Sequence, residues 1–251
     1  MSALTSAPVP GRGRSWGRTA AVWWFALSAV AIAVFAPLPY LTTSLTTLAE
    51  QDSRLAPNYA DRSTLIQAAF YLHIVFGGTA LLLSPIQLSA WVRARARGLH
   101  RMAGRITLSA IVVAGTAGAV LSPVNVAGPI GVPGFGLLAL LWMSFAVAAW
   151  RAIRRRDVPA HRRWAVRAFA LTYAAVTLRL WLAVLIAAQA GLAGTSDDVA
   201  FDRAYYAVPF LCWVPNLLVA QWFLARRFRR NQIRMDEVPA SDVSSSFLKR
   251  K

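Results

Sequence analysis

The chain has 251 residues, of which 57% are hydrophobic and only 15% charged, against about 25% charged in an ordinary soluble domain. Its formal net charge is +17, but the basic residues fall between apolar runs and form no separate basic domain, which argues against nucleic acid as a partner. The single cysteine, Cys212, excludes an intrachain disulfide and, lying in an apolar run, reads as a small packing residue.

Apolar runs of about 20 residues recur, and about 20 helical residues at about 1.5 Å each cross a hydrocarbon core of about 30 Å. Six spans follow in chain order, at roughly 19–40, 65–90, 104–122, 135–151, 164–190 and 205–225. The pattern predicts an all-α integral membrane bundle of six transmembrane helices. The first run is longer than a signal-peptide core and is followed by no clear small-x-small cleavage site, so it is expected to be a retained helix. The connection 123–134, PVNVAGPIGVPG, is uncharged and rich in Pro and Gly, which predicts a tight turn at the membrane surface. Three units are expected: a tail over 1–18, a six-helix domain over 19–230, and a polar, Ser-containing, disordered tail over 231–251.

Orientation follows from the arginines. The N-terminal tail, the connections around 93–105 and 151–167 and the C-terminal tail carry 23 of the 27 basic residues. The other side has Arg54, Arg62 and Arg203, among six acidic residues from Glu50 to Asp202. By the positive-inside rule both termini are cytoplasmic. Every basic residue except Lys249 and Lys251 is arginine and alanine is abundant, which suggests a GC-rich bacterial genome and hence a bacterial cytoplasmic (inner) membrane. Anionic phospholipid headgroups are the expected partners of the arginine-rich face. Trp91 opens WVRARARGLHR and Trp150 opens WRAIRRRDVPAHRR. Each runs from an aromatic helix end through arginines to His-Arg, as two related hairpins would, although the topology rule alone also produces such runs.

From about His73 to Arg226 the chain carries HIVFGGTALLLSPIQL, RGLHRMAGRI, GFGLLALLW, PAHRRWAVRAFALTYAAVTLRL and WVPNLLVAQW. In order and spacing these stretches resemble the multi-pass bacterial membrane family DUF2306. The resemblance implies the membrane fold and lends no reaction.

The three histidines and one arginine hold the chemistry. On span 2, His73, Gly77, Ala80, Ser84 and Gln87 step by four and three, a stripe of small and polar residues on one helix face. That stripe suits a close helix contact with His73 hydrogen-bonded across it, and it equally suits the wall of a ligand pocket. At about 1.5 Å per residue His73 lies about 12 Å from the outer end of its span, Arg179 about 8 Å and Asn216 about 16 Å. His73, Gly77, Arg179 and Asn216 could therefore form an outer pocket. No Asp or Glu falls in any of the six spans, so Arg179 needs another acceptor, and a proton-relay or cation-coupled mechanism is disfavoured.

His100 and His161 sit at the arginine-rich rim. Imidazole pairs on neighbouring helices hold haem in many membrane cytochromes, and Gly104, one turn after His100, leaves room for a flat ring, as Gly77 does after His73. The interfacial alternative is that these histidines cap helices or meet lipid phosphates. No C-x-x-C-H, nucleotide loop, H-E-x-x-H or Ser-His-Asp pattern is present. Two function classes remain: a haem-b electron carrier ligated by His100 and His161, and a non-enzymatic binding or transport module built around His73 and Arg179.

Overall fold

A computed structural model describes residues 16–51 and 55–236; the expected tails, up to residue 15 and from 237 to 251, lie outside the described residues. The regular structure of the described residues is entirely helical, and six helical stretches are long and apolar enough to cross a membrane. They are Thr19–Thr42, Thr64–Leu88, Arg97–Val124, Gly128–Arg154, Val158–Gly191 and Asp198–Arg227. The all-α, six-span reading of the sequence holds.

The residues explain the architecture. Large apolar side chains such as Leu72, Leu82, Leu140 and Leu218 are exposed, as expected where the surrounding medium is lipid. The centre is built of small residues: Ala80, Ala110, Ala114, Ala146 and Ala168 are each at most 2% exposed. Lipid supplies no hydrophobic drive between helices, so close approach of small residues and hydrogen bonds must hold the bundle together. The most extensive pairing is between α5 (Thr64–Leu88) and α7 (Arg97–Leu121), followed by α8 (Gly128–Arg154) with α9 (Val158–Thr172). The first helix, α1 (Trp16–Phe35), is the least buried span and leans mainly on α5. Ser28 Oγ also meets Tyr173 OH at 2.7 Å.

The fifth and sixth spans are each broken. Span 5 passes from α9 to α10 (Ala174–Ala193) through Tyr173, and span 6 passes from α11 (Asp197–Leu211) to α12 (Val214–Asp236) through Cys212 and Trp213. The last helix thus continues beyond residue 231, where the tail was expected to begin.

Two connections depart from expectation. Most of the Pro/Gly segment 123–134 is helical: a single 3₁₀ turn, Ser122–Val124, leads directly to α8 at Gly128. Proline is tolerated in a first helical turn, where its missing N–H would have no partner. Gly131 and Gly134 allow the close approach, since a Cβ there would run into Asn125 and Pro209 respectively. The loop between α1 and α5 is also structured. It contains α2 (Leu38–Thr42), α3 (Leu45–Glu50) and α4 (Pro57–Ala60), and Leu45, Leu48, Tyr59 and Ala60 are buried against Ala69, Phe70 and Leu121. Asn58 Nδ2 donates to Val124 O at 2.6 Å and Gln67 Nε2 to Ala60 O at 2.6 Å. This segment caps the arginine-poor end of the bundle.

The arginine-rich connections differ from each other. The first holds a short helix, α6 (Ala90–Arg95), with Arg93 Nη1 donating to the carbonyls of Gln87 and Leu88 at the end of α5. The second is a tight turn with Arg156 at φ 61°, after which Asp157 Oδ1 accepts from Ala160 N at 2.8 Å and caps α9.

Candidate functional site

A cavity of about 260 Å³ lies at the arginine-poor end, beneath the capping loop, and extends towards the bundle centre. His73, Gly77 and Arg179 all line it. The sequence places them on spans 2 and 5, and helix packing brings them to one space.

His73 is held across the α5–α7 contact. Its Nδ1 donates to the carbonyl of Ala114 at 2.9 Å. A carbonyl can only accept, so Nδ1 carries the hydrogen, and in the neutral ring Nε2 is left as an acceptor. The ring has room because residue 118 is glycine: a Cβ at Gly118 would lie 3.1 Å from His73 Nδ1 and 3.2 Å from Cε1. At Gly77 a Cβ would meet Ala114 and Trp142 only at 3.9 and 4.0 Å. Glycine there enlarges the cavity and relieves no clash.

Arg179 projects from α10. Its Nη1 donates to Ala175 O, one turn back, at 2.8 Å, and this is its one hydrogen bond to a described residue. The Arg179 side chain is exposed and is one of the residues lining the cavity. Tyr205 and Tyr40 line the same space. Among the described residues no Asp or Glu lines it. Thr172 and Ala175 line the cavity and Ala168 is buried in the core, but Ala183 is exposed.

Tyr59 adds a further hydroxyl from the capping loop. Burial pushes its phenol above the usual range, so it stays protonated and can donate. The three tyrosines, Tyr40, Tyr59 and Tyr205, and Gly118 were not anticipated from the sequence. Each belongs to the site only through tertiary contacts with residues far away in the chain.

Asn216 does not line the cavity. Its Nδ2 lies 3.2 Å from Ala170 O, 3.0 Å from Thr177 Oγ1 and 3.1 Å from Cys212 O, while the Thr177 hydroxyl donates to Cys212 O. Ala170 and Cys212 flank the breaks in spans 5 and 6, where helical carbonyls lose their own partners. In a membrane such freed carbonyls must find side-chain donors, and Asn216 and Thr177 supply them.

The rim histidines do not form the haem site expected of them. The space at Gly104 is taken: a Cβ there would lie 3.1 Å from Gln87 Oε1, and Gln87 is held by its Nε2 donating to His100 O at 3.1 Å. No gap for a flat ring remains beside His100. His161 Nδ1 is engaged by Ala149 O at 2.9 Å, and neither histidine lines the cavity. The Nδ1 atom of His100 is buried without a protein partner. The residues present do not fit haem.

A family model described as a predicted membrane protein, DUF2306, matches residues 70–224. No curated protein and no solved structure matches the chain. The matched region contains His73, Gly77, Gly118, Arg179 and Tyr205, and leaves Tyr40, Tyr59 and α1 outside it. With more than half its length covered, the chain belongs to the DUF2306 family of predicted membrane proteins.

Proposed function

We propose that the protein is a non-enzymatic binding or transport module whose site is the cavity around His73, Gly77 and Arg179. In this reading it resides in a bacterial cytoplasmic membrane with both termini inside. A single six-helix domain over 19–230 lies between tails over 1–18 and 231–251, and the arginine-rich rim rests on anionic headgroups. The supporting observation is Arg179. A guanidinium in the hydrocarbon region costs about 2.5–3.5 kcal/mol on insertion scales, and here it lines a cavity whose described residues include no carboxylate. A side chain so costly, lining a space and bonded among the described residues only to its own helix, is arranged for a ligand.

The test uses the single cysteine. In a Cys212→Ala background, Gly77→Cys puts a thiol in the cavity, and Ala110→Cys puts one in the packed core, where Ala110 is 2% exposed. With the protein in lipid nanodiscs, N-ethylmaleimide should label position 77 at least tenfold faster than position 110. Equal, slow labelling of both would end the reading.

A further inference from the structure

The groups around Arg179 define a chemical class for the ligand, an inference that rests on the cavity reading above. We infer that the cavity takes a small organic monocarboxylate, with the carboxylate on Arg179 and the apolar body towards Gly77 and α1.

Charge comes first. Among the described residues that line the cavity, Arg179 alone is permanently charged. A charge within a membrane-spanning segment is expensive, and a partner of opposite sign offsets part of that cost. A cationic ligand would double the charge. A neutral one would leave the guanidinium uncompensated. A phosphate monoester carries about 1.5–2 negative charges at neutral pH and would exchange an uncompensated cation for an uncompensated anion. A monoanion balances the site.

Geometry and donor chemistry point the same way. Arginine presents a planar fork of donors that fits a carboxylate with two parallel bonds. Among the described residues only Ala175 O engages the guanidinium, through Nη1, so the rest of the fork is available to a ligand. Tyr40 and Tyr205 add hydroxyls to the wall. His73, Tyr59, Ser122, Asn125 and Thr172 are its other polar members, and most of the rest is apolar, with Ile74, Leu81, Leu138 and Leu178 among its residues. At about 260 Å³ the space exceeds the about 150 Å³ known to accept benzene, which limits the body to a ring or a short chain. On α1, Ile32, Ala33 and Ala36 form the wall on the side of the least buried span.

The experiment measures protection of the thiol in the Gly77→Cys, Cys212→Ala protein in nanodiscs. N-ethylmaleimide labelling is followed against octanoate, methyl octanoate, octylamine and octyl phosphate. Octanoate should protect at a concentration at least tenfold lower than the other three. Arg179→Gln should erase that preference, and Arg179→Lys should keep part of it, since lysine retains the charge and loses the fork. Equal protection by methyl octanoate, or better protection by octyl phosphate or octylamine, overturns the monocarboxylate and leaves the cavity reading intact. Labelling at position 77 that none of the four slows overturns it as well. Failure of N-ethylmaleimide to label position 77 at all removes the cavity reading itself.

Discussion

His73 and Gly118 show how one missing side chain sets the position of another. The imidazole bonds to Ala114 O at 2.9 Å while lying where a Cβ at position 118 would sit 3.1 Å away. Replacing Gly118 by valine adds volume to a packed contact, an overpacking cost of about 1–3 kcal/mol, against a helix-propensity gain of a few tenths. Gly118→Val should therefore lower stability in a denaturant titration, and adding His73→Ala should return part of the loss because the clash has been removed. Strict additivity of the two substitutions would mean that the ring and residue 118 do not meet. Arg179 predicts the opposite behaviour. Among the described residues its only bond is to its own helix, so Arg179→Leu should leave resistance to denaturation undiminished while abolishing ligand binding, the usual trade at a functional site. A marked loss of stability would give Arg179 a structural role.

At the level of helices, the breaks at Tyr173 and at Cys212–Trp213 are stitched together by Asn216 and Thr177. Asn216→Leu should destabilise the bundle by about 1–2 kcal/mol, the scale of interhelical hydrogen bonds in membranes, and should leave labelling at position 77 unchanged because Asn216 is outside the cavity. A change in labelling without a change in stability would return Asn216 to the site. Hydropathy made the six spans legible, and with them the presence of Arg179 in one of them, because both depend on local composition. The break at Tyr173 was not legible, since nothing local announces a helix end there, whereas Pro215 in the first turn of α12 marks the one at Cys212–Trp213. Side chains on another span contribute to satisfying the carbonyls freed at both. The haem expectation failed for a related reason. Gly104 reads locally as a gap, but Gln87, on the preceding span, fills it. Depth counting grouped His73, Arg179 and Asn216; His73 and Arg179 line one cavity and Asn216 does not, since depth says nothing about which way a side chain turns.

For the molecule as a whole, the two ends of the bundle differ in both charge and construction. One carries nearly all the arginines and joins its helices by a short helix and a tight turn. The other is closed by the structured segment from α2 to α4, held by Asn58 on Val124 O and by Gln67 on Ala60 O. Leu55 and Tyr59 of this second end line the cavity. The side of the membrane from which a water-borne ligand would arrive therefore depends on orientation. Short loops rich in arginine stay cytoplasmic, so the capped end should face outwards and a ligand should be received from outside the cell. Reporter fusions at residues 57 and 251 test this directly. A reporter active only outside the membrane should work at 57 and fail at 251, and one active only in the cytoplasm should do the reverse. Matching activity at both positions would break the six-span topology. A clean inversion would keep the fold and reverse the direction of access, placing the Arg179 cavity on the cytoplasmic side.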